Sequence, residues 1–256
     1  MQTKPYFDGP LPRIFAHRGF AAPGGTIVEN TLPAFAAALE LGASHIETDV
    51  HASSDGVAII SHDPDLSRLT GSSDRVSSRS LADLRGIELG PGATFSSLAE
   101  ALDSFPRARF NIDIKSADAV APTIAAVRAV GAANRVLVTS FSEARRLGAV
   151  RGLGDVATSA SASRFLRALV AGKLGLQAVL DGALRSVDAI QVPEKALSLA
   201  VTTERFIEQV HAAGVEIHVW TINDTENVAR LLDLGVDGIV TDRTDVALDV
   251  LASRSQ

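Results

Sequence analysis

Short apolar runs alternate with stretches of helical period along most of the chain, and this alternation is what most constrains the fold. Parallel strands need a crossover between them, so such an alternation is typical of successive βαβ units. The predicted strands occupy residues 13–16, 45–50, 110–114, 136–138, 156–157, 189–192, 215–220 and 238–240, with a further extended run at 57–60. Eight units in 256 residues predict a (β/α)8 TIM barrel of the α/β class. A doubly wound open sheet is the alternative.

One stretch, residues 63–97, interrupts the alternation after the second unit. It is rich in Ser, Gly, Pro and Arg and contains only a short helix-like piece at 80–84. A segment of this size is too small for a core of its own. We therefore predict a single domain over residues 1–256 with an insertion at about 63–97. Long insertions in compact folds are usually functional or mobile.

Composition narrows the classes of partner. The net charge is −6 and no basic stripe is present, so nucleic acid is not expected as a ligand. No apolar run approaches the roughly 18 residues of a transmembrane helix, so no stable membrane insertion is expected. The first residues lack the apolar core of a signal peptide, which predicts a cytoplasmic location. Cysteine is absent, which excludes disulfides, thiolate nucleophiles and cysteine-based metal sites.

Acidic residues recur at the ends of neighbouring predicted strands, where barrel enzymes place their chemistry. Glu47 and Asp49 are two residues apart in the second strand, so both side chains lie on one face, and Asp113 lies on the third. Like charges in an apolar segment are costly unless they are paired or metal-bound. Mg²⁺ or Ca²⁺ with oxygen ligands would resolve that cost. The alternative is a structural salt bridge from Glu47 to Lys115 or Arg18.

Two histidines also follow predicted strands. His17 ends the first strand, and His62 follows the extended run at 57–60. Such a pair can deprotonate a nucleophile and protonate a leaving group near neutral pH. Arg18 has the planar fork that binds phosphate oxygens, and Lys115 adds a second positive charge. We place Trp220, the single tryptophan, in the wall of a substrate pocket.

Several motifs, in their order and spacing, resemble the glycerophosphodiester phosphodiesterases. The resemblance extends from about Ile14 to Asp242, which is nearly the whole chain. The motifs are His17-Arg18-Gly19, Glu29-Asn30-Thr31, Glu47-x-Asp49-Val50, His62-Asp63, Leu66-x-Arg68-x-Thr70-Gly71, Asn111-Ile112-Asp113-Ile114-Lys115, Ser140-Phe141, Trp220-Thr221-Ile222-Asn223 and Gly238-Ile239-Val240-Thr241-Asp242.

The resemblance implies a (β/α)8 barrel in which 63–97 is the insertion typical of the family. It implies a divalent cation, Mg²⁺ or Ca²⁺, at Glu47, Asp49 and Asp113, and Glu29 and Asn30 as residues that support the site. It implies His17 and His62 as the general acid–base pair, with Arg18 and Lys115 on the phosphate. The family reaction releases an alcohol and sn-glycerol 3-phosphate from a small glycerophosphodiester, in lipid and glycerol metabolism. One proposed route uses the 2-hydroxyl of the substrate as the nucleophile and passes through a cyclic phosphate.

One departure and two alternatives accompany the resemblance. Asp113 stands where the family usually has Glu and is one methylene shorter, which affects the choice and affinity of the metal. A lysophospholipase D-like activity would use the same catalytic set, but no basic amphipathic helix or large apolar loop is apparent for an acyl chain. A non-catalytic phosphodiester-binding barrel would normally have lost a histidine or a metal carboxylate, whereas His17, His62, Glu47 and Asp49 are all present.

Overall fold

A computed structural model describes residues 4–197 and 199–254 as a barrel of parallel strands. The strands are β1 Arg13–His17, β2 His45–Ala52, β3 Arg109–Ile114, β4 Val136–Thr139, β5 Ala157–Thr158, β6 Ala189–Val192, β7 Glu216–Val219 and β8 Gly238–Thr241. Neighbours in chain order pair, apart from β5 and β6, which meet through a single bridge, and β8 pairs with β1, so an open doubly wound sheet is excluded. The predicted (β/α)8 barrel is confirmed, with strand ends that differ from the prediction by one or two residues.

Strands β5 and β6 are the least extensively paired neighbours in the barrel. These strands are joined by an isolated bridge from Ser159 to Ala189 rather than by a continuous ladder. Two backbone hydrogen bonds close the gap there, from Asp188 to Thr158 and from Ala160 to Ala189. By contrast, β2 and β3 share a register from His45–Arg109 to Val50–Ile114.

Helices cover the outside of the barrel and connect successive strands. Their bounds are Leu32–Glu40, Leu98–Ser104, Val120–Ala129, Glu143–Leu153, Ala162–Lys173, Gln177–Leu184, Glu204–Ala212, Thr225–Asp233 and Thr244–Arg254. Several begin at a residue whose side-chain oxygen accepts a backbone N–H of the first turn, namely Thr31, Ser97, Ser142, Thr203 and Asp224. These caps fix where the loops at the mouth of the barrel end. Across the two described ranges, no helix has both the length and the apolar character needed to span a bilayer.

Strand parity separates the outer core from the lumen. In β3, Phe110, Ile112 and Ile114 pack against the helices, whereas Asn111 and Asp113 line the cavity inside the barrel. Aromatic rings fill the opposite end of the lumen: the Phe15 ring lies 5.0 Å from His45 and 4.6 Å from His218, centroid to centroid. The barrel is therefore closed at one end and open at the carboxyl ends of its strands.

The insertion has more structure than its composition predicts. It contains the short helices Ser67–Thr70 and Leu81–Arg85, the 3₁₀ turn Val76–Ser78, and a hairpin of Glu88–Gly90 with Ala93–Thr94. Leu66, Val76, Leu84 and Phe95 form a small apolar cluster around Ile59, which belongs to the strand Ala58–Ile60 that pairs antiparallel with β2. The barrel contributes Ile59 to this cluster, so the insertion is packed onto the barrel.

Candidate active site

A cavity of about 390 Å³ opens at the carboxyl ends of the strands. The structure brings every predicted site residue to this one cavity: His17, Arg18, Glu47, Asp49, His62, Asp113, Lys115 and Trp220. The cations, the acids and the histidines come from β1 to β3 and from the segment after Ala58–Ile60. The wall formed after β4 to β8 carries uncharged side chains.

Lys115 bridges two of the three predicted metal carboxylates. Its Nζ atom lies 2.7 Å from Oδ1 of Asp49 and 2.8 Å from Oδ2 of Asp113, which face each other in the β2–β3 register. Burial lowers the pKa of Lys115, but the two carboxylates outweigh it and hold the pKa above its usual range. The alternative prediction of a salt bridge between Lys115 and Glu47 is therefore wrong. The lysine pairs with Asp49 and Asp113.

The negative charge of Glu47 has fewer close positive partners than those of Asp49 and Asp113. It is buried, accepts a 3.2 Å hydrogen bond from the Arg18 backbone, and lies 3.8 Å from Nε2 of His17. Burial and the charge of Asp49 raise the pKa of Glu47 well above its usual range. Such a shift marks a carboxylate whose charge needs a further partner.

The three acids fit a hard cation without forming a finished ligand set. Oδ1 of Asp113 is buried and has no hydrogen-bond partner among the described residues. Together with the undercompensated charge of Glu47, it leaves carboxylate oxygens of the type that Mg²⁺ and Ca²⁺ prefer. No three histidine or acidic side chains of residues 4–197 and 199–254 are already arranged as metal ligands. The assignment of Glu47, Asp49 and Asp113 as ligands thus stays a prediction that the donor chemistry supports.

His17 is held by a carboxylate from the opposite end of the chain. Its Nδ1 atom lies 2.6 Å from Oδ1 of Asp242, and Oδ2 of Asp242 accepts a 2.8 Å hydrogen bond from Asn223. Burial lowers the pKa of His17, but the bond to Asp242 and the charge of Glu47 outweigh it and raise the pKa. Because Nδ1 is engaged, Nε2 is the nitrogen left to exchange a proton in the cavity.

His62 has the same kind of partner. Its Nδ1 atom lies 2.8 Å from Oδ1 of Asp63, and Oδ2 of Asp63 accepts a 2.5 Å hydrogen bond from Nε of Arg68. Arg68 belongs to the insertion, in the short helix Ser67–Thr70. The insertion thus fixes the carboxylate that orients one of the two histidines.

Arg18 is positioned by the same insertion residue through a shared acid. Oε1 of Glu29 accepts hydrogen bonds from Arg18 at 2.8 Å and from Arg68 at 2.6 Å. The Arg18 backbone is left-handed, with φ of 59°, and a Cβ on the following Gly19 would lie 2.7 Å from the carbonyl carbon of Ala34. Only glycine fits at that position, which explains the His17-Arg18-Gly19 motif in physical terms.

The Glu29-Asn30-Thr31 motif supplies three separate supports. Glu29 holds the two arginines. The Nδ2 group of Asn30 donates a 3.0 Å hydrogen bond to Oδ2 of Asp49, while its Oδ1 accepts one from Thr48. Thr31 caps the helix Leu32–Glu40. The first loop is therefore built to orient Asp49 and Arg18.

The uncharged wall is partly aromatic. Its residues include Phe141, Ala160, Phe165, Pro193, Trp220 and Val240. The rings of Phe141 and Trp220 meet edge to face with centroids 6.3 Å apart, and Phe141 is 61% exposed at the mouth. Trp220 thus lies in the cavity wall where the sequence analysis placed it.

No role was predicted from the sequence for Asp242, Asp63, Arg68 or Asn223. All four belong to motifs quoted for the resemblance, and two signals could have found them. Asp242 is a carboxylate at the end of the last barrel strand, which must neighbour the first strand in a closed barrel. Asp63 directly follows a histidine, which brings a hydrogen-bond acceptor within reach of the ring.

Comparison with known proteins identifies the family of the chain. The profile of the Glycerophosphoryl diester phosphodiesterase family matches residues 17–246. A Mycobacterium tuberculosis protein named "Probable glycerophosphodiester phosphodiesterase 2" is 40% identical over 242 residues, which cover 94% of this chain and 91% of the relative. The fold and site thus define a barrel enzyme of the phosphodiesterase class. The chain belongs to the glycerophosphoryl diester phosphodiesterase family.

Solved structures show the same architecture. A glycerophosphodiester phosphodiesterase from Agrobacterium tumefaciens superposes with a TM-score of 0.78 at 26% identity, covering 94% of this chain and all of the other. An Oleispira antarctica phosphodiesterase, solved in complex with the product sn-glycerol-3-phosphate, superposes with a TM-score of 0.75 at 21% identity. That superposition covers 94% of this chain and 97% of the other, so the two proteins share the same fold.

Proposed function

We propose that this enzyme hydrolyses small glycerophosphodiesters to an alcohol and sn-glycerol 3-phosphate, with His17 and His62 as its acid–base pair. The observation that carries the proposal is a matched pair of histidines on one cavity, each bound through Nδ1 to an aspartate. The Oleispira antarctica relative, solved with sn-glycerol-3-phosphate as its product, supports this choice of product.

The two aspartates set which nitrogen of each histidine reacts. A proton on Nδ1 is held by the carboxylate, so Nε2 is left as the acceptor of a neutral ring or the donor of a charged one. In this scheme Nε2 of His17 takes the proton of the glycerol 2-hydroxyl as its oxygen bonds to phosphorus. Nε2 of His62 gives a proton to the alcohol oxygen as its bond to phosphorus breaks. Water then opens the resulting cyclic phosphate, with the two histidines in exchanged roles.

Arg18 and Lys115 are the phosphate-binding groups in this proposal. Both are already on the cavity and are held by acids, Arg18 by Glu29 and Lys115 by Asp49 and Asp113. Cations fixed in place before the reaction stabilise developing charge on phosphate oxygens without having to reorganise. Trp220 would contact the substrate from the facing wall.

Glu47, Asp49 and Asp113 would hold a divalent cation, Mg²⁺ or Ca²⁺. When bound, such a cation supplies positive charge to the phosphate oxygens. The unpartnered Oδ1 of Asp113 and the raised pKa of Glu47 support this placement.

A lysophospholipase D-like activity is the second candidate, and one observation favours it. The sequence offered no apolar surface for an acyl chain, whereas the structure exposes Phe141 at the mouth and places Phe165 in the wall. A non-catalytic barrel is disfavoured because both histidines keep their carboxylate partners. The proposed substrate is a small molecule of lipid and glycerol metabolism. Such a substrate is consistent with the predicted cytoplasmic location and single domain.

The test is a panel of glycerophosphodiesters and lysophosphatidylcholine, crossed with Mg²⁺, Ca²⁺ and a chelator. We expect metal-dependent release of sn-glycerol 3-phosphate from the glycerophosphodiesters and its loss in His17→Ala and His62→Ala. His211→Ala is the matched control, because His211 lies on an outer helix and pairs with Asp237. No turnover of any glycerophosphodiester with any metal would contradict the proposal, and turnover of lysophosphatidylcholine alone would favour the second candidate.

A further inference from the structure

A second cavity of about 370 Å³ adjoins the first. It lies between the insertion, which contributes Pro64, Arg75 and Ser77, and the segment after β3, which contributes Ser116 and Asp118. His51 forms part of it, and its Nε2 atom lies 3.2 Å from the backbone oxygen of His62. His51 follows Asp49 by two residues and so continues the face of β2 that carries the acids.

His62 and Lys115 line both cavities. A phosphodiester whose phosphate contacts Lys115 therefore has one cavity available to each of its two arms. In the proposed function His62 protonates the leaving alcohol, so the alcohol oxygen must lie within hydrogen-bond reach of this histidine. His62 lines the second cavity as well, whereas none of the residues of the uncharged wall does.

The two cavities differ in chemistry. The first cavity offers aromatic and aliphatic side chains opposite the acids, among them Phe141, Phe165 and Trp220. The second cavity has no Phe, Tyr or Trp among its lining residues. It presents two hydroxyls, the carboxylate of Asp118, the cations of Arg75 and Lys115, and the imidazoles of His51 and His62. Recognition of a quaternary ammonium uses aromatic faces, and an acyl chain needs apolar surface. The second cavity suits neither.

Two of its charged groups are available to a ligand. The Arg75 side chain is exposed, and its nearest acidic partner is Asp65, which lies opposite it in an antiparallel bridge and whose pKa it helps to lower. Asp118 is exposed and accepts a hydrogen bond from Ser116. A carboxylate binds a primary ammonium by charge-assisted hydrogen bonds, and a guanidinium binds a carboxylate in the same way.

We propose that the second cavity is the subsite for the leaving alcohol and selects a small alcohol with a primary ammonium, such as ethanolamine or serine. Asp118 receives the ammonium in both cases, and Arg75 receives the carboxylate of serine. The glycerol arm then lies in the first cavity, against the wall that carries Trp220. This inference rests on the proposed function and adds the substrate class to it.

The test compares two substrates that differ only in the leaving group. One is glycerophosphoethanolamine, and the other is the methyl ester of glycerol phosphate, whose leaving methanol has no group for Asp118. We expect Asp118→Asn to raise the ratio of the two KM values about fivefold, the size of one exposed charged contact, with a smaller change in kcat. Arg75→Gln raises the KM of glycerophosphoserine relative to the methyl ester in the same way. In the wild type, kcat/KM for glycerophosphoethanolamine exceeds that for glycerophosphocholine.

Matched controls are Arg85→Gln and Asp103→Asn. Arg85 belongs to the same insertion but pairs with Glu100, and Asp103 is an exposed acid on the helix Leu98–Ser104. An equal effect of Asp118→Asn on both substrates would overturn the proposal. So would a change of the KM ratio in Phe141→Ala but not in Asp118→Asn, since it would place the alcohol in the first cavity. Both results presuppose turnover, so they leave the proposed function standing, whereas failure to hydrolyse any glycerophosphodiester would remove both.

Discussion

The Nδ1 atom of His17 lies 2.6 Å from Oδ1 of Asp242, a contact that joins the end of the first barrel strand to the end of the last. We expect Asp242→Asn to lower kcat by about 10- to 100-fold, because an amide does not enforce the proton on Nδ1 as a carboxylate does. Steady-state kinetics with a glycerophosphodiester measure this, with KM changing less than kcat.

Asp245→Asn is the control for this substitution. Asp245 lies three residues further along and forms an ion pair with Arg243. Activity of Asp242→Asn within twofold of the wild type would show that His17 does not depend on the carboxylate.

Arg68 ties the insertion to the catalytic centre. Its guanidinium holds both Asp63, the partner of His62, and Glu29, the partner of Arg18. We expect Arg68→Gln to lower kcat/KM roughly tenfold, the lower end of what loss of a supporting residue costs. Arg79→Gln serves as the control in the same insertion, since Arg79 pairs with Asp74. Equal activities of the two variants would contradict a supporting role for Arg68.

Glu143 is expected to be important for stability. It accepts hydrogen bonds at 2.7 Å from Arg146, which is 1% exposed, and from Arg164. Glu143→Gln leaves a buried guanidinium without its counter-charge, and we expect a loss of about 3 kcal/mol in the free energy of unfolding. Urea denaturation measures the loss. Glu226→Gln, at an exposed helix start, is the control and should unfold near the wild-type midpoint.

The same carboxylate predicts a direction for acid sensitivity. Burial raises the pKa of Glu143, but the bonds from Arg146 and Arg164 outweigh it and lower the pKa to about 2 from an ordinary value of 4.5. The unfolded state therefore binds the proton first. The stabilisation by this carboxylate is complete above about pH 4.5 and is lost as pH falls towards 2. Unfolding free energies of Glu143→Gln should vary less with pH across this window, and parallel curves would refute the assignment.

Asp113 is expected to set the affinity for the cation. Asp113→Glu restores the longer side chain usual in the family, and we expect it to lower the Mg²⁺ or Ca²⁺ concentration that gives half-maximal stabilisation against heat. Asp113→Asn should raise that concentration, because it removes one charged ligand. Thermal shift titrations separate metal binding from turnover. Identical titration curves for the three proteins would show that Asp113 is not a ligand.

Much of the fold could be predicted because each strand is a short apolar run bounded by a helix signal. Because side chains two residues apart in a strand lie on the same face, Glu47 and Asp49 could be placed together before any resemblance was considered. The partners of the histidines required more than the alternation of side chains along one strand. The contact of His17 with Asp242 depends on closure of the barrel, and that of Arg68 with Glu29 depends on how the insertion folds back. Lys115 was expected on phosphate, yet its position between Asp49 and Asp113 follows from side-chain geometry that no spacing rule contains.

The single bridge between Ser159 and Ala189 leaves the junction of β5 and β6 with less backbone pairing than the junction of β2 and β3. Few hydrogen bonds must break to part the wall at this seam, so we expect the amides of Ala160 and Asp188 to exchange with deuterium faster than those of β2 and β3. Ala160 and Phe165, in the uncharged wall, follow directly after the seam. The wall that faces the substrate can therefore open locally, whereas the strands that carry His17 and the acids stay paired. His62 remains on that paired side.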